Sequence, residues 1–131
     1  MKREKITISE DGIITLPSNP TKTIWMRDFD IAELFGVMLP TIKSNIRAIL
    51  KSNVVAEDTT NGATLVGRNI LQDYFGLDMV MALAFRINSM NAQLFRDFVI
   101  QKMISAITQS VIPLYISVGR NFVQKQSEYV N

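Results

Sequence analysis

Lys43, Arg47 and Lys51 stand four residues apart, with Ser44 and Asn45 beside them, in a chain that offers little else for chemistry. At 3.6 residues per turn, that spacing lines three cations along one side of a helix. Ile42, Ile46, Ile49 and Leu50 fall at i, i+4, i+7 and i+8, which is one buried stripe. No acid interrupts the chain between Glu33 and Glu57. Cations ordered in this way suit duplex phosphates, while hydroxyl and amide groups supply hydrogen bonds beside them. Arg68, on a later hairpin, is a further candidate phosphate contact. The candidate DNA-binding residues are therefore Lys43, Ser44, Arg47, Lys51 and Arg68. An ordinary surface helix also keeps cations on its solvated face, so the neighbouring elements must decide.

Catalytic readings find little support. The chain has no histidine and no cysteine, so it lacks an imidazole base, a thiolate nucleophile and disulfides. Its acids are scattered rather than clustered at ligand spacing. Ser44 and Ser52 lie near Lys43 and Lys51, but an exposed helix face does not supply the burial that activates a lysine. No catalytic residue, cofactor or metal is expected.

The elements that would position the basic stripe occupy residues 31–53. Asp30 followed by Glu33 reads as a capping-box variant that opens a first helix. Ile31, Leu34 and Phe35 share one face of it, and Ala32 permits close approach of another helix. Gly36 supplies the backbone freedom for a sharp turn. The pair reads as a helix-turn-helix. Its second helix begins unusually, because Met38 and Leu39 stand where such units offer a polar cap and base-reading side chains. Pro40 suits a first helical turn. This start favours gripping the DNA backbone or a partner over reading bases.

The remaining chain reads as one domain. Its 131 residues are 47% apolar, enough for a core, with a formal net charge of only +2. The charged N-terminus does not resemble a signal peptide, and no apolar run reaches membrane-spanning length. A cytoplasmic protein without membrane contact is expected. Residues 5–16 suggest a hairpin about Asp11-Gly12, residues 17–22 a loop, and residues 23–26 a short strand. Residues 53–58 and 64–68 flank Asn61-Gly62 as a second hairpin, placed where a wing would follow a helix-turn-helix. Residues 70–75 read as a further strand. Residues 77–87 are apolar nearly all round, as in a central helix, and residues 92–108 form another helix with a broad apolar face. The fold class expected is α+β: a winged helix-turn-helix-like half with small hairpins, then packed α-helices. Residues 23–76 hold the winged unit, 77–108 the helical core and 109–131 a tail. That tail carries Leu114, Val118 and Phe122 at helical spacing, with Leu114, Ile116 and Val118 equally consistent with a strand. Pro113 would start its helix. So many apolar residues suggest a homodimer through the C-terminal region, which would duplicate the basic stripe.

Residues 74–103, YFGLDMVMALAFRINSMNAQLFRDFVIQKM, resemble the signature region of the RhuM family of bacterial virulence-associated proteins. Leu77, Asp78, Met79, Phe85, Arg86, Asn88, Ser89, Phe95 and Arg96 carry the resemblance. Upstream, IAELFGV, Ile42, Ile46 and the step from Ser52 to Val55 also fit. The resemblance covers residues 23–103, and a looser similarity extends to BRO-N and KilA-N domains of phages and large DNA viruses. It implies a non-catalytic, regulatory DNA-binding protein associated with mobile elements or virulence, with double-stranded DNA as partner. Two departures stand out: Met38-Leu39-Pro40 replaces polar residues, and Arg96-Asp97-Phe98 adds an acid. Arg86 and Arg96 are further candidate phosphate contacts, but a structural role is favoured for both, covering apolar surface and bonding turn carbonyls. The alternative function is a protein-interaction adaptor of the antirepressor kind, in which Met38 and Leu39 form an exposed apolar contact.

Overall fold

The structure, a computed structural model, describes residues 2–118, with side chains through residue 109. Five helices and two small antiparallel sheets make a mixed α+β chain among the described residues. It divides into two compact units, the first ending at Arg96 and the second beginning at Asp97.

In the first unit, β1 (Thr7–Ile8) pairs antiparallel with β2 (Ile14–Thr15). Asp11-Gly12 lies in the intervening turn, closed by Gly12 N–H donating to Ser9 C=O at 2.9 Å. The stretch expected as a loop contains a short helix, α1 (Pro20–Thr23), because Pro20 at its start has the fixed φ that a first turn needs. The expected strand over residues 23–26 is reduced to two isolated bridges, Glu4 with Ile24 and Met26 with Phe75.

Next comes α2 (Asp28–Phe35), which starts two residues before the expected cap. Asp30 sits inside its first turn and accepts the Arg27 N–H at 3.0 Å. A carboxylate there satisfies an orphan donor and complements the helix dipole. At the other end, Gly36 takes the left-handed conformation (φ 65°). Val37 N–H donates to Ala32 C=O at 3.0 Å and Gly36 N–H to Glu33 C=O at 3.3 Å, the pairing of a Schellman cap. After this turn, α3 (Leu39–Lys51) begins with Pro40 in its first turn and Met38 as its cap residue, with no side-chain cap bond. Backbone N–H groups of Thr41 and Ile42 instead donate to Met38 C=O.

The second hairpin differs from its sequence reading. β3 (Ala63–Val66) pairs with β4 (Asn69–Gln72), so the turn is Gly67-Arg68 and not Asn61-Gly62. A glycine with φ 64° at the first central position matches the twist of a two-residue hairpin. Asn61 is buried at the base, where Asp73 N–H donates to Gly62 C=O. Residues 53–58 form no strand, since Asn53 leaves α3 in a left-handed conformation (φ 61°). Strand β4 also ends sooner than expected, and Phe75 belongs to the bridge with Met26.

Two further helices complete the described chain, α4 (Leu77–Ala84) and α5 (Met90–Val118). The core joins Ile31, Leu34 and Phe35 of α2, Ile42, Ile46 and Ile49 of α3, and Met79, Val80 and Leu83 of α4. Phe95 closes it from α5, meeting Phe35 edge to face at 5.9 Å. Ser89 donates to Phe35 C=O at 2.7 Å and Asn91 to Leu34 C=O at 3.0 Å, so the start of α5 holds the end of α2. In the second unit α5 runs on without a break, and Pro113 lies inside it instead of starting a helix. A strand over residues 114–118 is thereby excluded; Phe122 and the rest of the expected tail lie outside the described residues. No helix among the described residues is long and apolar enough to cross a membrane.

Candidate nucleic-acid interface

Burial of Ile42, Ile46 and Ile49 fixes the rotation of α3, and Lys43, Ser44, Arg47 and Lys51 consequently face solvent. The turn at residues 36–38 sets its direction relative to α2. Gly67 then places Arg68 at the exposed tip of the β3–β4 hairpin. All five residues expected at the interface are thus accessible. Their partners differ.

Lys43 Nζ lies 4.0 Å from Asp28 Oδ2, an acid contributed by the first turn of α2. The gap between Glu33 and Glu57 in the sequence therefore does not hold in space. Ser44 donates its hydroxyl to Thr41 C=O at 3.1 Å, and must rotate away before it can donate to a phosphate. Arg47, Lys51 and Arg68 make no ion pair or side-chain hydrogen bond among the described residues. Most other described cations are committed. Lys2 pairs with Glu4, and Lys5 with Asp30. Arg3 and Arg27 each lie over the Tyr74 ring, at 4.2 and 4.6 Å from its centroid. Lys102 lies over Phe98 in the second unit.

A groove of about 240 Å³ separates α3 from the hairpin. Its apolar floor includes Ile46, Leu50 and Phe75, with Ile70 and Leu71 from β4. Asp28 and Glu57 line it together with Lys43 and Arg47, so the charges there are balanced. Outside the groove, positive charge without a counterpart lies at Lys51 and Arg68, while Arg47, which lines the groove, forms no ion pair among the described residues.

On the far edge of α3, Arg86 Nε donates to Asn45 Oδ1 at 3.2 Å, and Asn45 donates to Thr41 C=O at 2.8 Å. This exposed guanidinium extends the α3 surface, and its partner is a side-chain amide of α3 in place of the turn carbonyls expected of it. Arg96, by contrast, is structural as expected: its Nη1 donates to Ala84 C=O at 2.6 Å and Ile87 C=O at 2.8 Å. Those carbonyls lie at the end of α4 and just beyond it, and need a donor. Apolar side chains are also displayed around the interface. Met38 is 75% exposed, and Leu65, Val66, Ile70 and Leu71 are each at least half exposed. The arrangement offers cations to a polyanion and aliphatic surface beside them. No protein-family model, curated protein or solved structure matches the chain.

Proposed function

We propose that the chain is a DNA-binding module of the RhuM type, regulatory and non-catalytic, with α2 and α3 as a helix-turn-helix and the β3–β4 hairpin as its wing. The observation that carries this reading is the distribution of uncommitted charge. Arg47 and Lys51 on α3 and Arg68 at the hairpin tip are exposed and have no partner among the described residues. Lys22 shares that property but stands apart, on α1. A duplex takes such groups through its phosphates, whichever bases they flank. Met38 and Leu39 at the start of α3 offer no hydrogen bond to a base edge, so binding is tolerant of sequence. The likeness of residues 74–103 to the RhuM signature supports a role with mobile elements or virulence.

Fluorescence anisotropy with a labelled duplex across a salt series tests the reading. Three phosphate contacts give a slope of about −2.7 in log K against log salt. Alanine at Arg47, Lys51 or Arg68 removes about 0.9 from that slope each. A triple variant that keeps the wild-type affinity and slope overturns the proposal.

Met38 and the apolar hairpin favour a second reading, a protein-interaction adaptor without direct DNA contact. Exposed aliphatic groups beside one another mark protein contacts. Under that reading the wild-type chain shows no salt-dependent retention of duplex DNA.

A further inference from the structure

From Asp97 onward α5 belongs to the second compact unit, and its described side chains include Ile100, Met103, Ile104 and Ile107. These are 43%, 55%, 55% and 56% exposed. Solvent is a poor neighbour for four large aliphatic groups on consecutive turns. Isolated helices are also marginal in water, where most helical stability comes from packing an apolar face.

The spacing of this face specifies the kind of neighbour. Ile100, Ile104 and Ile107 are separated by four and then three residues, and the sequence continues four, three and four with Val111, Leu114 and Val118. The helical backbone extends to Val118. Alternating steps of three and four are the 3.5-residue repeat by which one helix packs along another. Pro113 falls outside this seam in the repeat.

Charge then selects the occupant. Between Lys102 and Arg120 the chain has no charged residue. A helix lying on a membrane surface uses cations on its polar face, and a nucleic acid requires them. Heterotypic helix pairs are commonly specified by charges beside the seam. Here the flanking positions are Gln101, Met103, Thr108 and Ser110, which are neutral. Nothing in that sequence opposes pairing with an identical helix.

We propose that the α5 seam of Ile100, Ile104 and Ile107 is a self-association interface occupied by a second copy of this chain. The inference stands apart from the DNA-binding reading, and its test contains no DNA.

Sedimentation equilibrium of the full chain at micromolar concentrations measures it. The expected mass is at least twice the 14.8 kDa of one chain. Ile104→Asp brings the mass to that of one chain, whereas Ser105→Asp, off the seam, leaves the assembly intact. Emission from Trp25, the sole tryptophan, reports whether the first unit remains folded. If Ile104→Asp unfolds, Ile104→Ala provides the readout, with the dissociation midpoint raised at least about tenfold through lost aliphatic contact. A wild-type chain that stays monomeric throughout overturns the proposal. So does an Ile104→Asp protein that is folded and still assembled, or an Ile104→Ala protein with an unchanged midpoint.

Discussion

Asp28 Oδ2 stands 4.0 Å from Lys43 Nζ, while Arg47 and Lys51, one and two turns further along the same helix, have no such neighbour among the described residues. A phosphate approaching Lys43 must compete with that carboxylate and is repelled by it. Asp28→Asn is therefore expected to tighten duplex binding about two- to fivefold at low salt, the scale of one exposed charge interaction. Anisotropy titration of the variant against wild type checks this, and raised salt narrows the difference. Lys5 differs because its ammonium meets the buried Asp30 at 2.9 Å. That hydrogen bond, followed by attraction to the same carboxylate, raises the Lys5 pKa above its usual value of about 10.5. Its folded pKa therefore exceeds its unfolded one. The stabilisation is complete below the unfolded value and is lost as pH rises through the folded value. Urea unfolding of wild type and Lys5→Met should show a stability gap near neutral pH that closes in the alkaline range above about pH 10.5.

Elements hold one another here through helix ends as much as through helix faces. The last carbonyls of α2 accept from Ser89 and Asn91 at the start of α5, and carbonyls at and just after the end of α4 accept from Arg96. These bonds join segments whose apolar faces already meet through Phe35 and Phe95. Arg96→Met keeps much of the side-chain stem but leaves Ala84 C=O and Ile87 C=O without their donor. A buried acceptor left unmade costs about 1–3 kcal/mol, so the midpoint of thermal unfolding should fall by several degrees. Circular dichroism melts measure the shift, with duplex affinity at low temperature as a control. Affinity should persist there, because Arg96 is spent on carbonyls and not on the candidate interface.

At the scale of the whole molecule, core and seam answer different requirements. The first unit buries aliphatic stripes of α2, α3 and α4 and leaves Lys43, Arg47, Lys51 and Arg68 exposed, beside the apolar side chains of the β3–β4 hairpin. The second carries a neutral helix whose exposed isoleucines follow a coiled-coil repeat. Self-association through that repeat would bring two basic helices into one assembly. The salt slope would then double to about −5 per assembly. Sedimentation without DNA and anisotropy with it separate the two proposals, since either can fail while the other stands.

Local periodicity was legible in the chain before any fold. The 3.6-residue repeat of Ile42, Ile46 and Ile49 set which side of α3 is buried, and Gly36 marked the turn because its φ of 65° suits glycine. The Asn61-Gly62 dipeptide misled, since a turn signal states what a backbone can do and not where strands pair. Pairing register put the turn at Gly67-Arg68. Tertiary structure alone decided which cations remain uncommitted. Asp28 reaches Lys43 from another helix, and Arg86 reaches Asn45 across 41 residues of chain. The sequence by itself determined α2, α3 and α4, the apolar stripe of α3 and the supply of charge, because those depend on neighbours a few residues away. It showed neither α1 nor the run of α5 past Pro113. Only folding determined the partners, because charge interactions fall off with distance in space and take no account of distance along the chain.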